Sequence, residues 1–150
     1  MIFCSPVRIS TRLKLLLGMQ DAKTSGIPLD PGHVKIRDSG TPMQENKKYQ
    51  QLIGALLYIA VNTRPDIAAS VTILSQYNKQ PTEVDWTEAK RVARYLKGTR
   101  DKRLLLGGHS ETRELIGYAD ANWAEDKIDR KSNSGYLFQY CGASISWGCR

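Results

Sequence analysis

The chain has 150 residues, 41% of them hydrophobic and 25% charged, a composition that is typical of a globular protein and excludes a largely disordered one. Its 22 Lys and Arg residues against 15 Asp and Glu residues give a formal net charge of +7, which favours a polyanionic partner. No apolar run approaches the roughly 20 residues of a membrane span, and the first residues lack a signal-peptide pattern. We therefore expect an intracellular protein, in the cytoplasm or nucleus, that is neither secreted nor bound to a membrane.

Residues 1–48 are predicted to form a short helix and a linker. Only Ile9 to Leu17 has a helical pattern, and Gly and Pro residues interrupt every later pattern up to position 42. His33 lies among these breakers, and His109 stands alone near a Gly pair, so neither is favoured for a metal or catalytic role. The three cysteines have no Cys-x-x-Cys spacing and indicate reduced thiols.

Residues 49–103 are predicted to form a helical lobe. From Tyr49 to Ala60 the apolar residues recur with a helical period and leave Gln50, Gln51, Gly54 and Tyr58 on the opposite face. Pro65 suits the first turn of a second helix, for which Thr63 and Asp66 would form a variant capping box. The apolar stripe of that helix consists of Ile67, Val71 and Leu74, with Tyr77 as a further candidate.

A third helix is predicted to begin at Thr82, with Asp85 at the third helical position of a capping box and Gly98 as the C-cap. Its apolar residues fall on one side and its cations on an adjacent side. The predicted nucleic-acid-binding residues, here named the basic cluster, are Lys90, Arg91, Arg94, Lys97, Arg100, Lys102 and Arg103. Such a density of cations would neutralise several phosphates, but a solvated helix face with cations near its C-terminus is an equally good interpretation.

Residues 113–150 are predicted to form three strands. Leu115 to Asp120 is the first, and Gly135 to Cys141 and Ser144 to Trp147 form a hairpin with a turn at Gly142-Ala143. Asp120 ends the first strand, a place where a metal ligand can be held firmly, although Asp followed by Ala-Asn is also ordinary turn chemistry.

Several motifs in a fixed order make a family resemblance specific. They are Tyr49-Gln-Gln-Leu-Ile-Gly-Ala-Leu-Leu-Tyr-Ile-Ala, Thr63-Arg-Pro-Asp-Ile-Ala, Trp86-Thr-Glu-Ala-Lys-Arg-Val-Ala-Arg-Tyr-Leu-Lys-Gly-Thr99, Gly117-Tyr-Ala-Asp-Ala-Asn-Trp-Ala124, Arg130-Lys-Ser-Asn-Ser-Gly-Tyr136 and Ile145-Ser-Trp147. Over roughly residues 13 to 150 the chain closely resembles the copia-type retrotransposon Pol polyprotein.

The resemblance implies an α+β fold with a helical lobe like a reverse transcriptase thumb, followed by the first strands of a ribonuclease-H-like sheet. The thumb would hold the backbone of an RNA–DNA or DNA duplex without reading its sequence. By the same resemblance, Asp120 matches the first metal-binding carboxylate of the ribonuclease H, which would help to hold two Mg²⁺ ions. The family pattern Tyr-Ser-Asp-Ala-Asp-Trp-Ala-Gly is altered here at Ala119, Asn122 and Glu125.

In the family, the paired polymerase aspartates lie before the position of Met1 and the later ribonuclease H carboxylates lie after Arg150. We therefore expect a catalytically incomplete polyprotein fragment that binds no Mg²⁺ itself and retains binding to the nucleic-acid backbone. Two alternatives stay open: a repurposed module for non-specific nucleic-acid binding, and a subunit that a partner chain completes at the sheet edge after Trp147.

Overall fold

A computed structural model of the protein describes residues 21–37, 39–102, 104, 113–121 and 134–149. The chain divides into two compact units, Met1–Lys102 and Arg103–Arg150, which we name the helical unit and the sheet unit. Helices in the first and a three-stranded antiparallel sheet in the second confirm the predicted α+β class. The predicted helix from Ile9 to Leu17 lies outside the described residues, and the predicted domain boundaries stay predictions.

The helical unit contains four α-helices and a short 3₁₀ helix in its described part. They are α1 (His33–Arg37), α2 (Lys47–Asn62), the 3₁₀ helix Pro65–Ile67, α3 (Ala68–Ser75) and α4 (Glu83–Gly98). The three predicted helical segments are thus confirmed, the second of them as a 3₁₀ turn that continues into α3. No helix among the described residues has both the length and the apolar character that crossing a membrane requires.

One hydrophobic core holds α2, α3 and α4 together. The predicted apolar residues of all three helices contribute to it, and its buried members are Tyr49, Leu52, Ile53, Leu56, Ile59, Ala60, Ile67, Val71, Leu74, Ala89, Val92 and Tyr95. The hydroxyl of Tyr49 donates a hydrogen bond of 2.7 Å to the carbonyl of Leu74, so the polar end of this buried ring is satisfied. Burial raises the pKa of Tyr49 far above its ordinary value and keeps the phenol neutral.

The start of α4 confirms the predicted capping box. The Thr82 side chain accepts a hydrogen bond from the Asp85 amide, and an Asp85 carboxylate oxygen accepts a bond of 2.7 Å from the Thr82 amide. The end of α4 lies one residue later than predicted, because Gly98 is still helical and Thr99 is the C-cap.

The predicted capping box of Thr63 and Asp66 is wrong. The Thr63 hydroxyl donates to the carbonyl of Ile59 in the preceding helix, and Thr63 is the C-cap of α2. The carboxylate of Asp66 instead binds the guanidinium of Arg64 with two hydrogen bonds of 2.9 and 2.7 Å. A bidentate ion pair two residues away thus takes the carboxylate that the capping prediction assigned to the backbone.

The predicted linker packs along α4 in the opposite direction, from Ala22 near the end of the helix to Met43 near its start. The Lys97 ammonium donates 2.9 Å to the Ala22 carbonyl, the Asp30 amide donates 3.0 Å to Glu88, and the Glu83 amide donates 2.9 Å to the Thr41 carbonyl. Leu29 and Met43 pack against the core. We name residues 22–43 the N-terminal strap; it is part of the helical unit.

The sheet unit contains β1 (Leu115–Ala121), β2 (Ser134–Tyr140) and β3 (Ala143–Cys149), in the order β1-β2-β3 with antiparallel pairing. The three predicted strands are confirmed. The predicted turn at Gly142-Ala143 is one residue too late, because Ala143 already pairs with Tyr140. The two turn residues are Cys141 and Gly142, with φ of 49° and 77°, as in a two-residue type I′ hairpin.

Candidate nucleic-acid interface

Helix α4 separates its charges along its length. Glu83, Asp85 and Glu88 lie in its first half, and the cations of the basic cluster follow. Ala89 and Val92 are fully buried, whereas the four helical cations, Lys90, Arg91, Arg94 and Lys97, are half-buried. The structure thus anchors the helix by one face and brings these cations to the adjacent one, as predicted.

Arg91 is engaged within the chain. Its Nε atom lies 2.9 Å from the carboxylate of Glu88, and its Nη2 atom lies 3.6 Å from a carboxylate oxygen of Asp30 in the strap. Because two carboxylates already compensate this guanidinium, it contributes less to attraction of an external anion than an unpaired cation would.

Lys90, Arg94 and Lys97 share one stripe, because their spacing of four and three residues places them on one side of a helix. Lys97 donates to the strap, as described above, and the ammonium of Lys90 lies 5.4 Å from the ring centroid of Trp86, within the range of a cation–π contact. Arg94 has neither a hydrogen bond nor an ion pair with any described residue. Its guanidinium is therefore the most available cation of the stripe.

The residues after α4 extend the positive charge. Arg100 is exposed and lies 3.9 Å from the carboxylate of Asp101, which is itself almost fully exposed. The ammonium of Lys102 lies 5.8 Å from the ring centroid of Tyr95. Arg103, the last member of the predicted cluster, lies outside the described residues.

A partly buried polar network, which the sequence interpretation missed, holds the end of α4. The Arg64 guanidinium, 10% exposed, donates to both carboxylate oxygens of Asp66, to the Thr99 hydroxyl at 2.6 Å and to the Thr99 carbonyl at 3.2 Å. The Tyr95 hydroxyl donates 2.9 Å to Asp66. Burial acts to raise the pKa of Asp66, but the hydrogen bonds from Arg64 and Tyr95 outweigh it and hold this pKa below its ordinary value.

A second network, also missed, holds the start of α4. His33 Nε2 lies 2.8 Å from Asp85 Oδ1, and Asp85 Oδ2 accepts from Thr82 and from Arg37 Nε at 3.2 Å. The guanidinium of Arg37 also lies 3.7 Å from the ring centroid of Tyr77. Burial acts to raise the pKa of Asp85, but the bonds from His33 and Thr82 prevail and lower it. The capping pattern revealed Asp85, but no local signal links it to His33.

The outer face of α2 has a glycine, Gly54, where no side chain projects from the helix. Gly54 is exposed in the middle of the helix, and a Cβ atom there would have no heavy atom within 4 Å. Its neighbours on this face, Gln51, Tyr58 and Val61, are exposed, the last two by 57% and 69%. Since glycine weakens a helix interior and no described residue requires it here, the position is suited to close approach by an external molecule.

Asp120 lies in β1, exposed and paired with Gly135 of β2. The described residues contain no group of three or more His, Cys, Asp or Glu side chains placed to hold a metal ion. Glu125, Asp126 and Asp129 follow in the sequence but lie outside the described residues. The predicted metal role of Asp120 therefore stays a prediction.

The sequence that forms these elements is similar to known polyproteins. The chain is 38% identical over 136 residues, 86% of its length, to the retrovirus-related Pol polyprotein from transposon TNT 1-94 of Nicotiana tabacum. It is 37% identical over 132 residues, 88% of its length, to that from transposon RE2 of Arabidopsis thaliana. The chain belongs to the copia-type retrotransposon Pol family. This Pol segment spans 10% and 9% of the two polyproteins.

A shorter protein is also similar to this chain. The secreted RxLR effector protein 161 of Plasmopara viticola is 44% identical over 103 residues, which is 69% of this chain and 72% of that protein. The Pol-like sequence therefore also forms most of a much smaller protein. Neither a protein-family model nor a solved structure matches the chain.

Proposed function

We propose that the helical unit binds the backbone of duplex nucleic acid, without sequence preference, as the thumb-like part of a reverse transcriptase with ribonuclease H. The observation that carries the proposal is the stripe of Lys90, Arg94 and Lys97 on a helix whose adjacent face is anchored in the core, with Arg94 lacking any partner among the described residues. A rigid row of cations suits a regular row of phosphates.

The contacts within the chain rank the members of the basic cluster. Arg94 and Lys90 should contribute most along the helix, because Arg91 is compensated by two carboxylates and Lys97 donates to the strap. Arg100 and Lys102 would extend the footprint past the helix end. The exposed Gly54 position on α2 supports a second close contact, since a duplex backbone or groove can approach a helix there without meeting a side chain.

Equilibrium binding of the full chain to a fluorescently labelled RNA–DNA hybrid, measured by anisotropy over a salt series, tests the proposal. Each lost phosphate contact should reduce the slope of log affinity against log salt by about 0.9. The variant Lys90→Gln/Arg94→Gln should therefore bind more weakly and with a slope smaller by about 1 to 2. The matched control is Lys47→Gln/Lys79→Gln, which removes two exposed cations outside the basic cluster.

If both double variants lose the same affinity, net charge alone attracts the hybrid and the assignment to α4 is wrong. If the unaltered chain shows no measurable binding at low salt, the proposed binding function is rejected. The chain would then be a relic of a Pol polyprotein that no longer binds nucleic acid. Strong binding that is equal for hybrid, duplex DNA and single strands would support a repurposed module, because a thumb-like surface should prefer a duplex.

Asp120 is the residue of this chain that matches a metal-binding carboxylate of the family's ribonuclease H. A Mg²⁺ site in that chemistry uses several carboxylates, and among the described residues Asp120 does not have enough such neighbours, so the described donor set does not fit the ion. We infer that this chain alone does not cleave an RNA–DNA hybrid, or that a partner chain completes the site. Hybrid cleavage by the purified chain in Mg²⁺, abolished by Asp120→Asn, would contradict the first inference.

We also propose that the protein acts inside the cell, in the cytoplasm or nucleus, where a duplex of a retrotransposon is found. A fluorescent fusion that accumulates outside the cell would contradict this, and it would place the chain nearer to the relative whose name describes a secreted effector.

A further inference from the structure

The α2–α3 connection reaches the far end of the proposed binding helix. Arg64 precedes the 3₁₀ helix, yet its guanidinium donates to the hydroxyl and to the carbonyl of Thr99, 35 residues later. The Thr99 carbonyl also accepts a hydrogen bond of 3.1 Å from the amide of Lys102. One carbonyl oxygen therefore joins Arg64 to the turn that carries Arg100 and Lys102.

Asp66 fixes the orientation of this guanidinium. It accepts from Nε and Nη2 of Arg64, at 2.9 and 2.7 Å, in a planar bidentate pair, which leaves the remaining N–H groups directed at Thr99. The Tyr95 hydroxyl donates to the same carboxylate, and the Tyr95 ring lies 5.7 Å from the Arg64 guanidinium and 5.8 Å from the Lys102 ammonium. The network thus reaches both the backbone and the side chain of Lys102.

We infer that Asp66, acting through Arg64, is a positioning residue for the nucleic-acid-binding end of α4: it holds the turn that presents Arg100 and Lys102 to the phosphate backbone. This inference rests on the proposed function. It also accounts for an acidic side chain, which repels phosphate, beside the proposed binding surface. The Asp66 carboxylate is compensated by the Arg64 guanidinium and accepts a hydrogen bond from the Tyr95 hydroxyl.

Removal of the Asp66 charge separates positioning from simple electrostatics. If only net charge matters, Asp66→Asn should bind an RNA–DNA hybrid more tightly, because one negative charge is lost. If Asp66 positions the turn, the same variant should bind roughly threefold to tenfold more weakly, the size expected for coupled residues of one network. Asp101→Asn is the matched control: it removes an exposed carboxylate from the same turn, outside the network, and should not weaken binding.

A double-mutant cycle excludes a general folding defect. In an Arg100→Gln/Lys102→Gln background, Asp66→Asn should have little further effect on affinity if it acts through those cations, whereas a loss of folded protein would lower affinity equally in both backgrounds. Tyr95→Phe, which keeps all charges and removes one hydrogen bond to Asp66, should show the same dependence on the background with a smaller loss. Amide hydrogen exchange should become faster at Thr99 and Lys102 and stay unchanged at Val92.

The hybrid-binding measurements distinguish failure of the Asp66 positioning role from failure of the proposed function. Equal or tighter hybrid binding by Asp66→Asn, with the unaltered chain binding in a salt-dependent way, overturns the positioning role and leaves the proposed function intact. Equal losses in the two backgrounds of the cycle overturn it as well. If the unaltered chain does not bind the hybrid, the proposed function fails and the positioning inference fails with it, whatever the amide exchange shows.

Discussion

His33 and Asp85 form a fully buried pair across 52 residues of sequence, with His33 Nε2 2.8 Å from Asp85 Oδ1. The same carboxylate caps the start of α4 through Thr82 and lies 3.2 Å from Arg37. One side chain therefore connects the N-terminal strap to the helix that carries the basic cluster. The strap also engages Arg91 and Lys97 of the same helix.

Substitution of Asp85 should destabilise the helical unit. Asp85→Asn keeps the shape of the side chain but replaces one accepting oxygen with a donor, so a bond to Thr82, Arg37 or His33 is lost in a buried site. We expect the free energy of unfolding to fall by about 1–3 kcal/mol, measured by urea denaturation with far-UV circular dichroism. Glu83→Gln, on an exposed acid of the same helical turn, is the control and should change it by less than about 0.5 kcal/mol. Equal effects would contradict the network.

The same pair predicts a direction for pH dependence. Folding lowers the pKa of Asp85 below its ordinary 3.8, because the bonds from His33 and Thr82 and the charge of Arg37 outweigh the burial that raises it. Its contribution to stability is therefore complete above pH 3.8 and is lost as the pH falls through the lower folded-state value. The pKa of Asp66 is shifted in the same direction.

The unaltered chain should thus lose its stability advantage over Asp85→Asn on acidification from about pH 5 towards pH 1. Urea midpoints of both proteins at a series of pH values measure this difference. Among the described residues, the ionisable side chains that face Asp85 are those of His33, Arg37 and Tyr49. A difference that grows on acidification would show that Asp85 is not stabilising as the anion.

Gly54→Ala should have opposite effects on stability and binding. The added methyl group meets no heavy atom within 4 Å, and alanine is the better helix former, so we expect the free energy of unfolding to rise by about 0.5–1 kcal/mol. Affinity for an RNA–DNA hybrid should fall, because the methyl group would obstruct a close approach to α2.

Gly98→Ala serves as the comparison for stability. A Cβ atom there would lie 3.0 Å from the Cβ atom of Thr24 in the strap, so the gain from helix propensity should be smaller or absent. Unchanged hybrid affinity of a stabilised Gly54→Ala protein would show that no ligand approaches this face of α2.

The sequence predicted what depends on local periodicity and missed what depends on long-range contacts. The helical period and the Thr82 capping box located α2, α3 and α4, because burial of one face and saturation of the first amides are local requirements. Local sequence gives His33 no special role, since its partner lies 52 positions away and Gly and Pro residues surround it. For the same reason the strap was interpreted as a linker, although Leu29 and Met43 reach the core.

Competition between partners explains the local errors. Asp66 had a plausible capping role, but a guanidinium two residues away offers two charge-assisted bonds against one backbone amide. The binding role of the basic cluster stays a prediction, and a ranking of its members required the carboxylates of Glu88 and Asp30, which only the fold brings to Arg91.

The turn between β2 and β3 places a residue other than glycine in the left-handed region. Cys141 has a φ of 49°, which costs a side chain with a Cβ atom roughly 1–2 kcal/mol, and asparagine tolerates this conformation better than other residues that carry a side chain. Cys141→Asn should therefore stabilise the sheet unit by about 0.5–1 kcal/mol, because it creates the Asn-Gly pair that type I′ turns favour. Gly142→Ala, at φ of 77°, should destabilise it by about 1 kcal/mol or more.

Amide hydrogen exchange of peptides covering residues 134–149 reports on this hairpin separately from the helical unit. Exchange should be slower in Cys141→Asn and faster in Gly142→Ala than in the unaltered chain. Gly135→Ala is the control, because a Cβ atom there meets only the Gly148 carbonyl oxygen at 3.9 Å, an ordinary contact, and φ is not positive. If all three variants exchange alike, the turn conformation does not limit the stability of the hairpin, and the pairing of β2 with β3 must depend on cross-strand side-chain contacts instead.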